Sequence, residues 1–201
     1  MELPRQRNNT SQQEQCFMRL HEILDRDPRT ARLANNGQAR IISEKNELIA
    51  ELKDFVSDGQ FGRAIERIVE RFLGNIDGAR QESVWISGFY GSGKSHLLKM
   101  LTHLWVNTTF EDGSTARGLV RGGLPDNLTA QLRELDIQAK RTGKPAIAAA
   151  GTMLGGNDRV RETILSIILT AVDLPAQYPQ ARFCFWLREH GYLEKVQSAV
   201  E

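Results

Sequence analysis

One octapeptide carries the strongest chemical signal in the chain: Gly88-Phe89-Tyr90-Gly91-Ser92-Gly93-Lys94-Ser95. Its spacing is G-x-x-x-x-G-K-[ST], the phosphate-binding P-loop or Walker A pattern. Gly88, Gly91 and Gly93 have no Cβ, so the backbone can turn tightly and approach phosphate oxygens closely. The loop amides, including that of His96 on the first turn of the following helix, would face an anion at the helix's positive end. Lys94 would bridge the β- and γ-phosphates of ATP, and Ser95 would give its hydroxyl to Mg²⁺. The competing reading is a glycine-rich turn joining a strand to a helix, and the expected strand before the motif and amphipathic helix after it favour the phosphate loop. Phe89 and Tyr90 are expected to pack on a sheet rather than shield a nucleotide.

The motif needs a strand before it and a helix after it, and the flanks supply both patterns. Glu82-Ser83-Val84-Trp85-Ile86-Ser87 is short, β-branched and aromatic, which predicts a buried strand with Trp85 in the core. A helix is expected from Gly93 to Val106, burying Leu97, Leu98, Leu101, Leu104 and Trp105. Upstream, helices are expected from Gln13 to Asp25 (Phe17, Leu20 and Leu24 on one face, Asp27-Pro28 as the stop), over Ser43–Ser57 and over Gly62–Leu73. Ser43 caps the second, whose apolar stripe is Leu48, Ile49, Leu52, Phe55 and Val56. Ile65, Ile68, Val69, Phe72 and Leu73 form the stripe of the third, which ends at Gly74. Downstream, a polar connection over Asn107–Gly123 precedes a helix from Pro125 to Ala139 with Leu128, Leu132 and Leu135 inward. Ala146–Ala150 reads as a second strand after Lys144-Pro145. Gly155-Gly156-Asn157-Asp158 introduces a helix to Val172, and Arg182–Glu189 and Tyr192–Ala199 are helical. Helices followed by strand, helix, helix, strand and helix predict an α/β fold: residues 1–60 form an N-terminal helical extension and residues 61–201 the first part of a P-loop ATPase domain.

The second half of an ATPase site is harder to find. Such sites use an acid at the end of another strand to hold Mg²⁺ and polarise water. Asp173 follows the apolar run Ile164–Val172, but Val160, Ile164, Ile167, Ile168 and Ala171 have helical spacing, so helix and strand compete there and Asp173 is a weak candidate. Asp136, inside a helical pattern, is weaker. Arg159 and Arg161 are the only lid-like basic pair. His21, His96, His103 and His190 are scattered and read as solvated or capping side chains. Phe61 or Arg63 could line a base pocket, or simply start a helix. No catalytic residue is assigned, and the chain is expected to be the N-terminal portion of a larger ATPase whose sheet is incomplete here.

Composition sets the remaining limits. The 201 residues are 40% hydrophobic and 25% charged, with a formal net charge of +1, as in an ordinary globular domain. The near-even charge gives no basic segment for direct DNA binding. Cys16 and Cys184 match no metal or redox spacing. No signal peptide or bilayer-length apolar run is seen, so a cytoplasmic location without membrane contact is expected.

The run Glu82–Trp105, and above all Trp-Ile-Ser-Gly-Phe-Tyr-Gly-Ser-Gly-Lys-Ser-His over residues 85–96, closely resembles the N-terminal region of BrxC/PglY-type ATPases. These large proteins belong to the bacteriophage-exclusion (BREX) and phage growth limitation systems. The likeness covers residues 60–106 most clearly. It implies an additional-strand, AAA-like P-loop core and an ATP-binding module within an anti-phage complex that includes a DNA methyltransferase. Contact with DNA would be indirect or through regions beyond residue 201, homo-oligomers are open to it, and hydrolysis would need sequence or subunits beyond residue 201. Gly88, Gly93, Lys94 and Ser95 carry over as phosphate and magnesium contacts. Two alternatives remain open at this stage: a small P-loop kinase or phosphotransferase, and a non-catalytic nucleotide-gated interaction module.

Overall fold

A computed structural model describes residues 44–153 and 159–200, together with positions 19, 22, 24, 29 and 30. By its contacts the chain divides into two compact units, Met1–Leu33 and Ala34–Glu201. The expected helix at Gln13–Asp25, the cap Ser43, the turn at 155–158, His21 and Cys16 lie wholly or largely outside the described residues.

Among the described residues of the second unit there are eight helices: α1 (Lys45–Asp54), α2 (Gln60–Gly74), α3 (Lys94–Val106), α4 (Ala116–Leu119), α5 (Asp126–Thr142), α6 (Val160–Ala171), α7 (Tyr178–Glu189) and α8 (Leu193–Val200). The apolar stripes explain their packing. Leu48 and Leu52 of α1, Ile65 and Val69 of α2, Leu97, Met100 and Leu104 of α3, and Leu128, Leu132 and Leu135 of α5 meet in one buried cluster. Phe55, expected on the stripe, is buried just past α1, whereas Val56 is exposed. Truncating any one of these leucines would cost about 2–5 kcal/mol. A smaller cluster gathers Leu169, Leu174 and Ala181, with the free thiol of Cys184 at its edge.

The α/β expectation is overturned. No strand forms among the described residues; the only β pairing is an isolated antiparallel bridge between Thr109 and Thr115. The segments expected as strands, 82–87 and 146–150, are irregular and follow the helices without cross-strand partners. The physical reason is pairing. A helix satisfies its own backbone within the segment, whereas a strand is completed only by a neighbour. Here Ile86 alone reaches the main cluster from the first segment, and Trp85, expected in the core, is 90% exposed. In the second segment burial alternates from Ala146 to Ala150 as in half of a strand, with Ala146, Ala148 and Ala150 turned inward.

Helix α3 is the centre of the body, and its two ends are fixed differently. At its C-terminus, Asn107 adopts a left-handed conformation (φ 49°) and its amide returns to His103 O. Arg117 then covers the exposed carbonyls. Its Nε donates to Leu104 O at 2.8 Å and Nη2 to Trp105 O at 3.0 Å. The same guanidinium grips Asp136 of α5 bidentately, at 2.6 and 3.0 Å. Lengthwise, Phe72 of α2 meets Trp105 edge-on with ring centroids 4.6 Å apart. The N-terminal end opens from the glycine loop.

Candidate functional site

The loop 88–93 makes a tight turn into α3, and the glycines explain how. Gly91 and Gly93 have φ of 79° and 82°, values that a side chain makes costly, and Gly93 is the residue directly before the helix. A Cβ on Gly93 would also lie 2.7 Å from the Phe61 ring. The loop therefore rests against the start of α2 through a contact that only glycine permits. A Cβ on Gly88 would lie 2.8 Å from Ser92 Oγ, so the two ends of the loop close on each other.

Lys94 lies across this closure. Its ammonium donates to Gly88 O at 2.9 Å and Phe89 O at 2.7 Å, and approaches Ser92 Oγ at 3.3 Å. The charge is thus held at the mouth of the loop, over its own carbonyls. Ser92 N donates to Phe89 O at 3.2 Å, which tightens the turn further. Ser95 is exposed on the first helical turn, where amides have no acceptor inside the helix. Phe89 and Tyr90 are 90% and 92% exposed, so neither packs on a sheet. His96 is half-buried against Phe55, with ring centroids 5.8 Å apart, and burial lowers its pKa below the ordinary histidine value.

Three features here would suit phosphate oxygens: positive φ at Gly91 and Gly93, an ammonium on the loop's own carbonyls, and an exposed hydroxyl at Ser95. Among the described residues no group of three or more His, Cys, Asp or Glu could hold a metal. Ser95 is the one motif residue suited to Mg²⁺, which is commonly bound through few protein ligands and substrate phosphates.

The weaker candidates separate from the loop. Ile164 to Ala171 is helix, and Asp173 follows it as an exposed turn residue with φ 57°, so it does not end a strand. Asp136 is engaged by Arg117. Arg159 pairs with Glu162 of its own helix at 2.8 Å, and Arg161 is exposed. Of the two residues weighed for a base pocket, Phe61 touches the loop through Gly93, while Arg63 is exposed on α2.

What the sequence reading missed lies on the flank of α3. Lys99 and Glu51 are each 1% exposed and form an ion pair at 2.5 Å between α3 and α1. The helix is in fact rolled relative to expectation. His96, Lys99, Met100 and His103 turn toward α1, while Leu98 is 43% exposed. Leu98, Leu101, Thr102 and Trp105 instead line a cleft of about 350 Å³ whose other wall is formed by residues 147–151. The available signal was that α3 is apolar on more than one side, which implies burial on more than one side.

No helix among the described residues is long and apolar enough to cross a membrane. Comparison of the chain with protein-family models, curated proteins and solved structures found no match.

Proposed function

We propose that Gly88–Ser95 binds the phosphates of ATP with Mg²⁺, and that the chain serves as a nucleotide-binding module. The observation that carries this reading is the placement of Lys94. A P-loop lysine must bring an unscreened ammonium to the point where the loop closes, and Lys94 Nζ already lies there on two loop carbonyls. Phosphate oxygens would replace those carbonyls as partners of the ammonium, and the first-turn amides of α3 would add donors at the helix's positive end. Ser95 and the phosphates together would ligate Mg²⁺. The glycines keep backbone and ligand close without steric cost.

Binding, rather than turnover, is the activity these residues support. Asp136 is committed to a bidentate pair and Asp173 to a turn, so neither is offered as a magnesium acid, and the kinase alternative loses its acid and its Arg159 lid together. The setting proposed for the module is the one implied by the resemblance of residues 85–96: an anti-phage complex in which partner proteins complete hydrolysis.

Lys94→Ala tests the site. ATP·Mg²⁺ affinity measured by calorimetry should fall by roughly 10–100-fold, the loss of one or two charge-assisted bonds, with circular dichroism unchanged. Equal affinity in the two proteins would remove Gly88–Ser95 as the binding site.

A further inference from the structure

Lys99 stands five residues after Lys94 on the same helix, in the opposite environment. Its ammonium meets the Glu51 carboxylate at 2.5 Å, with both side chains 1% exposed. The surroundings are apolar: Leu48, Leu52 and Phe55 on the α1 side and Leu97, Met100 and Leu104 on the α3 side belong to the same buried cluster. Two histidines of α3 flank the pair. Burial pulls the pKa of both His96 and His103 down, with the positive charge of Lys99 acting in the same direction and Glu51 against it. His96 Nδ1 is buried without a hydrogen-bond partner, and His103 Nδ1 meets Thr108 Oγ1 at 3.0 Å. The pair is therefore the ionic centre of a largely apolar contact.

Stability alone does not account for it. Removing two charges from water costs several kcal/mol for each, and apolar side chains of similar volume often do as well or better. What an ionic pair adds is intolerance of misalignment. If α3 slid or rolled by one residue against α1, Lys99 and Glu51 would both be buried without each other. An apolar contact between the same helices would tolerate that shift by repacking. The register of α3 matters because its first residue is Lys94 and the residue before it is Gly93, where an added Cβ would meet the Phe61 ring.

We propose that Glu51 and Lys99 are a positioning pair: they fix the axial and rotational register of α3 on α1, and so hold Lys94 and the first-turn amides where the loop can take phosphate. This rests on the reading of Gly88–Ser95 as a phosphate site. Neither residue touches the ligand; both act through the helix.

The test compares the whole chain with E51M/K99M, which keeps the volume and removes both charges, and with the swap E51K/K99E, which restores a pair. Two readouts are taken: ATP·Mg²⁺ affinity by calorimetry, and amide hydrogen exchange without nucleotide over residues 97–104, where Leu97 N already bonds Gly93 O and the helix ladder begins. In E51M/K99M the thermal midpoint should stay near or above wild type, while affinity falls roughly tenfold and exchange rises by a similar factor. The swap should recover both. A folded E51M/K99M with wild-type affinity and exchange, or a folded swap that recovers neither, would overturn the proposal. If wild type itself fails to bind ATP·Mg²⁺, the phosphate reading is lost and the exchange data alone decide the register claim: faster exchange supports it and unchanged exchange refutes it. Should E51M/K99M not fold, E51D keeps both charges but retracts one. Faster exchange at residues 97–104 is then expected, and unchanged exchange refutes the pair.

Discussion

The helical body around α3 and the two extended segments beside it were equally apolar on paper, yet they ended in different states. Leu97, Met100 and Leu104 are 0–3% exposed, whereas Val84 and Trp85 are 50% and 90% exposed. The helices close their own backbone bonds and need only a neighbour's side chains. The segments 82–87 and 146–150 need a neighbour's backbone, and the described residues supply none. Periodicity thus specifies a helix and the face it buries. The same kind of evidence for a strand specifies only extended chain, because its partner lies outside the segment.

Three substitutions would break or sharpen this contrast. The largest effect is expected from Lys99→Met alone, which removes the buried cation that faces the Glu51 carboxylate. Urea unfolding should show a loss of about 3–5 kcal/mol, and a loss below about 1 kcal/mol would mean that the charge escapes to water. A smaller effect should come from His103, on the same side of α3. Its pKa in the folded chain lies below its ordinary value, chiefly because burial disfavours the charged ring. The folded state therefore binds fewer protons than the unfolded state. This contribution is fully present above the ordinary histidine pKa of about 6.5 and is lost as pH falls below it toward the folded value. The urea midpoint should drop between about pH 7 and pH 5, and drop less in His103→Gln; identical pH profiles would exclude His103 as a source. The smallest effect should come from Trp85→Ser in the extended segment, within about 0.5 kcal/mol of wild type. A loss comparable to a core leucine would show that this segment is paired in solution.

The tight turn into α3 was legible because glycine at 91 and 93 suits the positive φ that both adopt there. The stripes Ile65/Val69 and Leu128/Leu132/Leu135 were equally readable, and all five residues are buried. Helix ends were displaced slightly: α5 runs on to Thr142 and stops at Gly143, whose φ of 67° suits only a residue tolerant of the left-handed region. Three features were not legible. The sheet failed for the reason given above. The roll of α3 could not be read because Leu97, Leu98, Leu101, Leu104 and Trp105 cover too wide an arc to define one face. The pair Glu51–Lys99 was hidden because a lysine or glutamate in an amphipathic helix ordinarily faces water, and only the packing of α1 on α3 brings these two together across 48 residues of chain. The same holds for Arg117 of the short helix α4, whose grip on α3 and Asp136 has no local sequence signature.

The central claim is that Gly88–Ser95, held by α3, receives the phosphates of ATP. The most direct measurement titrates ATP·Mg²⁺ into the wild-type chain and into Lys94→Ala, following amide hydrogen exchange at saturation. At the nucleotide concentration that just saturates wild type, the account predicts slowed exchange confined to residues 88–97, and in the variant roughly 10–100-fold weaker binding with correspondingly little protection. Binding with protection elsewhere, or the same protection in Lys94→Ala, would contradict it.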